Sequence, residues 1–356
     1  MKTFNFIAAI LAATALLMSS CKGNNKSEQT ESKRESIELS GAGATFPQPF
    51  YNMVFELFSE QNGDQVAYGG IGSGGGVRNL KDEIVDFAGS DAFLSEKELK
   101  EMKDVIHVPT CMGAVVLAYN LPGVDSLKLS GELVAAIFSG EIKKWNDNRL
   151  KALNPNVQLP DADIIPVFRS DGSGTTYVFT DYLSKASAKW AEKYGAGKSV
   201  DFPAGQAAKG NPGVAGVISQ TVNSIGYVGS EYAFAQKIPY AMMQNSNGKM
   251  VEPNAESISA AASGEIPADT RTSITNSSAP DAYPISCFTW IIIYKEQNYA
   301  NRSKEQAQAT VDLLKFILSD DVQKTAADVH YAPLPKKAVE LSMKNLEGVT
   351  YNGKNL

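Results

Sequence analysis

Three short stretches of this 356-residue chain carry the residues best suited to chemistry: Gly43-Ala44-Thr45-Phe46, Gly70-Ile71-Gly72-Ser73-Gly74-Gly75-Gly76 and Asp171-Gly172-Ser173-Gly174-Thr175-Thr176. Each is small, rich in Gly, Ser or Thr, follows an apolar strand-like run and opens a helix-like pattern. Free backbone N–H groups and the dipole at a helix start suit an anion. Glycine lets the backbone come close, and hydroxyls add donors. Arg169 stands beside the third stretch as a full positive charge whose planar fork matches two oxygens of an oxyanion. Two carboxylates, Asp91 and Asp171, sit in strand-end loops. Taken alone they read as solvated loop groups. Beside an anion, Asp91 makes sense if the ligand still carries a proton to donate, because a fully ionised oxyanion would face acceptor with acceptor.

Other chemistries fit the residues less well. Net charge is −6, which argues against nucleic acid as the partner. The same charge means that an anion must be held by local dipoles and a few placed donors, not by the global field. Gly70 to Gly75 fits a dinucleotide fingerprint with Asp91 near the acidic position, but the helix that follows is short and the other two loops would go unexplained. The loop after Arg169 lacks the lysine of a P-loop, and no G-x-S-x-G elbow occurs. The chain has two histidines, His107 and His330, set beside strand and loop patterns. Neither supports a triad or a metal centre, so no catalytic residue, metal or cofactor is assigned.

The elements that must position these loops read as α/β, with short apolar strands alternating with helices from Ile37 onward. Strands are expected at Ile37–Leu39, Val66–Tyr68, Val85–Ala88, Cys111–Tyr119, Ile164–Phe168, Ile225–Val228 and Phe288–Tyr294. Helices are expected from near Pro47, over Val77–Glu83, from an N-cap at Ser130 through Phe138, from the third loop through Trp190, and over Gln306–Leu318 and Ala338–Leu346. The first 20 residues read as a signal peptide: Lys2, an apolar run from Phe6 to Met18 too short to span a membrane, then Ser19-Ser20 before Cys21. Residues 21–36 carry almost no large apolar side chain and read as a disordered tether. Cys21 at the junction resembles the lipobox cysteine of bacterial lipoproteins, which is acylated; Met18 stands where Leu is commoner. Cys111 and Cys287 remain. In an exported chain they can pair or stand as two buried thiols.

Taken together, Gly41-Ala42-Gly43-Ala44-Thr45-Phe46-Pro47, Gly70 to Gly76, Val85-Asp86-Phe87 through Ser90-Asp91, and Arg169 through Thr175 resemble the periplasmic phosphate-binding proteins of bacterial high-affinity phosphate ABC transporters. Lys209-Gly210-Asn211, Gly213-Val214-Ala215 and Ser224-Ile225-Gly226-Tyr227-Val228 are similar to that family too. The resemblance covers nearly all of the chain after the tether. It implies a two-lobed, type II periplasmic-binding-protein-like fold with the ligand cleft between lobes: residues 37–111 plus 288–356 as one lobe, 112–287 as the other, and two crossovers as the hinge. It implies a phosphate site made of Thr45 and Phe46 (hydroxyl and backbone N–H donors), Ser73, the proton acceptor Asp91, Arg169 with its bracing Asp171, and the helix-start donors Ser173, Gly174 and Thr175. It also implies an exported monomer, periplasmic or at the cell surface, lipid-anchored through Cys21. Its partners would be inorganic phosphate and a membrane permease. Both internal cysteines would lie near the crossover strands, where a disulfide could tie the hinge. The alternatives are a binding protein for another tetrahedral oxyanion, a secreted phosphatase, and a signalling or adhesion lipoprotein.

Overall fold

The computed structural model describes residues 35–356, and Ser36–Leu356 forms one compact unit. The expected signal peptide, most of the tether and Cys21 lie outside the described residues. Eight strands share the main sheet: β1 Glu38–Gly43, β2 Gln65–Gly70, β3 Phe87–Ser90, β4 Val105–Asn120, β5 Ile165–Arg169, β6 Gln206–Ala208, β7 Ser224–Gly229 and β8 Ser286–Tyr294. The helices used below are α1 Gln48–Asn62, α2 Ser73–Lys81, α3 Glu96–Lys100, α4 Gly174–Ala186, α5 Gly210–Gln220 and α6 Ser230–Ala235.

The sheet order is β2-β1-β3-β8-β4-β7-β5-β6. β1 pairs in parallel with β2 and β3, and β5 in parallel with β6 and β7. Between these parallel groups lie antiparallel contacts of β8 with β3 and β4, and of β4 with β7. β4 changes partner part-way along. Val105 to Ala114 lie against β8, and Val115 to Asn120 against β7. One strand therefore runs through both halves of the sheet. Both β4 and β8 are almost wholly buried, because helices cover both faces, and both read as near-continuous apolar runs.

The pairing register bears on the cysteines. Cys111 faces Thr289, while Cys287 faces Gly113, so the two are diagonal neighbours rather than opposite ones. Diagonal positions sit about 7–8 Å apart, whereas a disulfide needs Cβ atoms about 3.5–4.5 Å apart. Of the two readings left open for this pair, the structure has the second: both are free, buried thiols. Two helix boundaries also differ from the sequence reading. α2 begins at Ser73, not Val77, because packing against β1 and β3 overrides the poor helix propensity of Gly74, Gly75 and Gly76. The long helix after the third loop breaks at Ser187, which ends α4 and caps a second short helix, Ala188–Lys193.

Candidate functional site

Each of the three loops follows a strand and opens a helix, and the sheet brings them together. β1 runs through Ala44-Thr45-Phe46 into α1, β2 through Ile71-Gly72 into α2, and β5 through Ser170 to Ser173 into α4. Gly72 adopts φ +87°, and a Cβ there would lie 2.2 Å from Asp171 Oδ2. The turn needs glycine on both counts. Ser173 caps α4 with its hydroxyl, which accepts the Thr176 N–H at 3.0 Å.

Continuous hydrogen bonds join the loops. Ser73 Oγ, at the start of α2, accepts the Gly174 N–H of α4 at 3.0 Å. Arg169 donates to Asp171 through Nε at 2.8 Å and Nη2 at 2.6 Å, a bidentate pair whose side chains are 1% and 13% exposed. Its Nη1 reaches Thr175 Oγ1 at 3.4 Å. Thr175 Oγ1 in turn donates to Asp91 Oδ2 at 3.3 Å, and Thr289 Oγ1 donates to Asp91 Oδ1 at 2.9 Å. Asp171 also accepts the Gly210 N–H at 3.0 Å.

The two carboxylates titrate differently. Burial pushes Asp91 up to about 7, opposed only in part by the Thr289 hydrogen bond, the Arg169 charge and the Thr175 hydrogen bond. Burial also pushes Asp171 up, but its bonds to Arg169, the guanidinium charge and the Gly210 N–H outweigh that and hold it below the usual carboxylate range.

All nine residues singled out from the sequence surround this network, in differing ways. Thr45, Ser73, Asp91, Arg169, Asp171, Gly174 and Thr175 take part through the atoms just named or, for Thr45, through Asn211. The Phe46 ring is fully buried in the core, edge-on to Tyr331 at 5.9 Å, and only its backbone is near the loops. The Tyr331 hydroxyl donates to the Phe46 carbonyl, and the Tyr232 hydroxyl donates to the Thr45 carbonyl at 2.5 Å. The Ser173 N–H donates to the Lys198 carbonyl at 2.8 Å.

Sequence reasoning gave no site role to Thr289, nor to Asn211 and Tyr227 although both lie in the family-like motifs; the Tyr227 hydroxyl oxygen accepts the Arg169 N–H at 3.1 Å. Asn211 is the second residue of α5, which Gly210 opens after β6 and Lys209, a fourth strand-to-helix loop. Thr289 is a polar residue inside the apolar run Phe288–Tyr294, where a buried hydroxyl must find a partner. The histidines stand apart from the cluster. His107 Nε2 accepts the Leu94 N–H at 3.1 Å, and burial pushes the imidazole down to about 3.

A curled α/β sheet whose two halves meet around buried donors is the architecture of a solute-binding protein. Residues 26–321 match the PBP superfamily domain. The chain is 39% identical over 323 residues to the phosphate-binding protein PstS of Xylella fastidiosa, covering 89% of this chain and 87% of that one. It is also 39% identical over 308 residues to PstS of Haemophilus influenzae, covering 85% and 90%. The solved phosphate binding protein of Stenotrophomonas maltophilia shares the fold, with a TM-score of 0.65 at 20% identity, covering 86% of this chain and 92% of that one. The chain belongs to the PBP superfamily, among the phosphate-binding proteins called PstS.

Proposed function

We propose that this chain captures inorganic phosphate and hands it to an ABC-type phosphate importer. The observation that carries this reading is the buried cluster of neutral donors and one charge-paired arginine around Asp91, the one carboxylate in the cluster without an ion-pair partner. Thr45, Phe46, Ser73, Arg169, Ser173 and Thr175 supply donors, Gly174 holds Ser73 Oγ through its N–H so that the serine hydrogen points away, and Asp171 fixes the arginine. Asp91 accepts the ligand's own proton. Each hydrogen bond to a charged group contributes roughly 1.5–3 kcal/mol, enough in combination to hold a desolvated anion in an acidic protein. Calorimetric titration of the Ser36–Leu356 unit with phosphate and with sulfate tests this. Tight phosphate binding with sulfate excluded is expected, and comparable uptake of both would reject it.

The same reading divides the chain into two lobes, residues 37–111 with 288–356 and residues 112–287. The change of partner along β4 at Ala114/Val115 supports a hinge there. The cleft between lobes is where such ligands bind. The chain acts by binding rather than turnover, as a monomer outside the cytoplasm, and a phosphomonoester assay should find no hydrolysis. The apolar run before Cys21 and the polar stretch after it support a lipid anchor. Intact mass of membrane-extracted protein should show Cys21 as an acylated first residue; an unmodified N-terminus in the soluble fraction would reject the anchor.

A further inference from the structure

Thr45 and Thr175 reach the cluster from opposite halves of the sheet, and one side chain touches both. Asn211, the second residue of α5, is fully buried. Its Oδ1 accepts the Gly229 N–H at 3.0 Å. A backbone N–H can only donate, so this bond fixes which end of the carboxamide is oxygen. The two hydrogens of Nδ2 then go to Thr45 Oγ1 at 3.0 Å and Thr175 Oγ1 at 3.1 Å.

A hydroxyl has two acceptor positions and one hydrogen. Thr45 Oγ1 accepts a second bond, from the Asn211 N–H at 2.9 Å. Thr175 Oγ1 accepts its second from Arg169 Nη1 at 3.4 Å. With both acceptor positions taken, each hydroxyl can act only as a donor. Thr175 directs its hydrogen at Asp91 Oδ2. The Thr45 hydrogen is the part of that group which no described contact uses. An anion offers acceptors to Thr45, and the Asp91 carboxylate offers them to Thr175, so either hydroxyl free to rotate would present its hydrogen part of the time and its lone pairs the rest.

We infer that Asn211 is a positioning residue for the anion site: its carboxamide fixes the Thr45 hydroxyl as a donor toward the ligand and the Thr175 hydroxyl as a donor toward Asp91. This rests on the phosphate reading above. Asn211 acts through those hydroxyls, so its effect depends on their presence, which a purely structural role does not require. The test is a double-mutant cycle by phosphate calorimetry on the Ser36–Leu356 unit: wild type, Asn211→Ala, Thr45→Val and the pair, with thermal unfolding of each. Asn211→Ala should raise the phosphate Kd by roughly 10- to 100-fold, the range of one hydrogen bond to a charged ligand. In the Thr45→Val background the same change should cost at least about fivefold less, the remainder acting through Thr175. If Asn211→Ala does not fold, Asn211→Asp takes its place in the cycle. That change keeps the shape and the Gly229 bond while offering an acceptor where the amide donated. It should weaken phosphate binding more than 10-fold, with the same coupling. Additive effects, within about twofold, would overturn the role of Asn211, as would an Asn211→Asp protein that binds like wild type. A folded wild type that takes up no phosphate would instead overturn the binding reading itself.

Discussion

Asp91 is 2% exposed, and its two oxygens accept from Thr289 and Thr175. Because burial raises its pKa to about 7, its role changes inside the ordinary pH range. Above about 7 it is a carboxylate and only accepts. Below about 7 it carries a proton and can donate. A ligand with a hydrogen of its own tolerates the first state; sulfate needs the second. Sulfate affinity should therefore rise about tenfold for each unit that pH falls toward 7, then level off below it. Phosphate competition titrations between pH 9 and pH 5 would read this. In Asp91→Asn the dependence should vanish and sulfate should bind at every pH, whereas Arg169→Ala should weaken both anions. A flat sulfate profile in the wild type would remove Asp91 from the selectivity mechanism.

Glu231 poses a different problem. It is 3% exposed, and neither carboxyl oxygen has a hydrogen bond of good geometry. Burial, with a smaller push from the Asp91 charge, holds it well above the usual carboxylate range. The unfolded chain ionises this group above about pH 4.3 while the fold keeps it neutral. Its cost to stability is thus absent in acid and grows as pH rises. Glu231→Gln should raise Tm at pH 8, and the gain should shrink to nothing near pH 4. An equal gain at both ends would refute this. Glu231 was not legible in the sequence, where an acidic residue in Ser230-Glu231-Tyr232 reads as surface. The loops of Thr45 and Ser73, and Arg169, stood out by residue type and context, whereas Asp91 taken alone read as a solvated loop carboxylate and took its role from the family resemblance. Asn211 was not given a role, since its importance lies in contacts with residues 36 and 166 positions away.

Among the elements, the start of α4 depends on how closely it can approach β3. A Cβ on Gly174 would lie 2.6 Å from Ser73 Oγ and 2.7 Å from the Asp91 N. Glycine has no helical need here, because its φ is ordinary; what it supplies is space. Gly174→Ala should lower phosphate affinity by at least about tenfold and also lower Tm of the free protein, because the overlap with the Asp91 backbone costs about 1–3 kcal/mol and the helix preference of alanine, about 0.5–1 kcal/mol, offsets only part of it. Calorimetry and thermal unfolding on one sample decide it, and unchanged affinity would mean the approach is not needed. Strands β4, β5, β7 and β8 were legible as apolar runs because both sheet faces are buried. The start of α2 was not, since three glycines argue locally against helix and only packing overrides them. The cysteine geometry was hidden too: diagonal and opposite positions differ by two residues of register, which composition does not encode.

At the scale of the molecule, Lys198 and Glu98 form an ion pair at 2.6 Å between segments assigned above to different lobes. Their side chains are 17% and 32% exposed, and Glu98 also closes a capping box with Ser95 in α3. Burial raises the Glu98 pKa, but Lys198 and Ser95 bring it below the usual range, as expected for a carboxylate held in its charged form. A partly exposed pair contributes about 0.2–1 kcal/mol. Lys198→Met should therefore speed phosphate release by up to about fivefold in stopped-flow displacement. High salt should narrow the gap between variant and wild type. A release rate indifferent to the substitution would mean the pair does not hold the lobes together.

The strand order β3-β8-β4 also has a consequence in time. β3 ends at Ser90 and its neighbour β8 begins at Ser286. At roughly 5–20 residues per second, the ribosome needs about 10–40 s to supply the intervening segment. Until then β3 and the first half of β4 have an open seam between them, and the first half of the sheet cannot close however favourable its local contacts. The export proposed above would gain from such a delay, because the chain would stay threadable until it reached the membrane. Nascent chains halted before residue 286 should accordingly be digested readily by protease, and chains extended past Tyr294 should resist. Resistance in the shorter chains would show that the seam sets no clock.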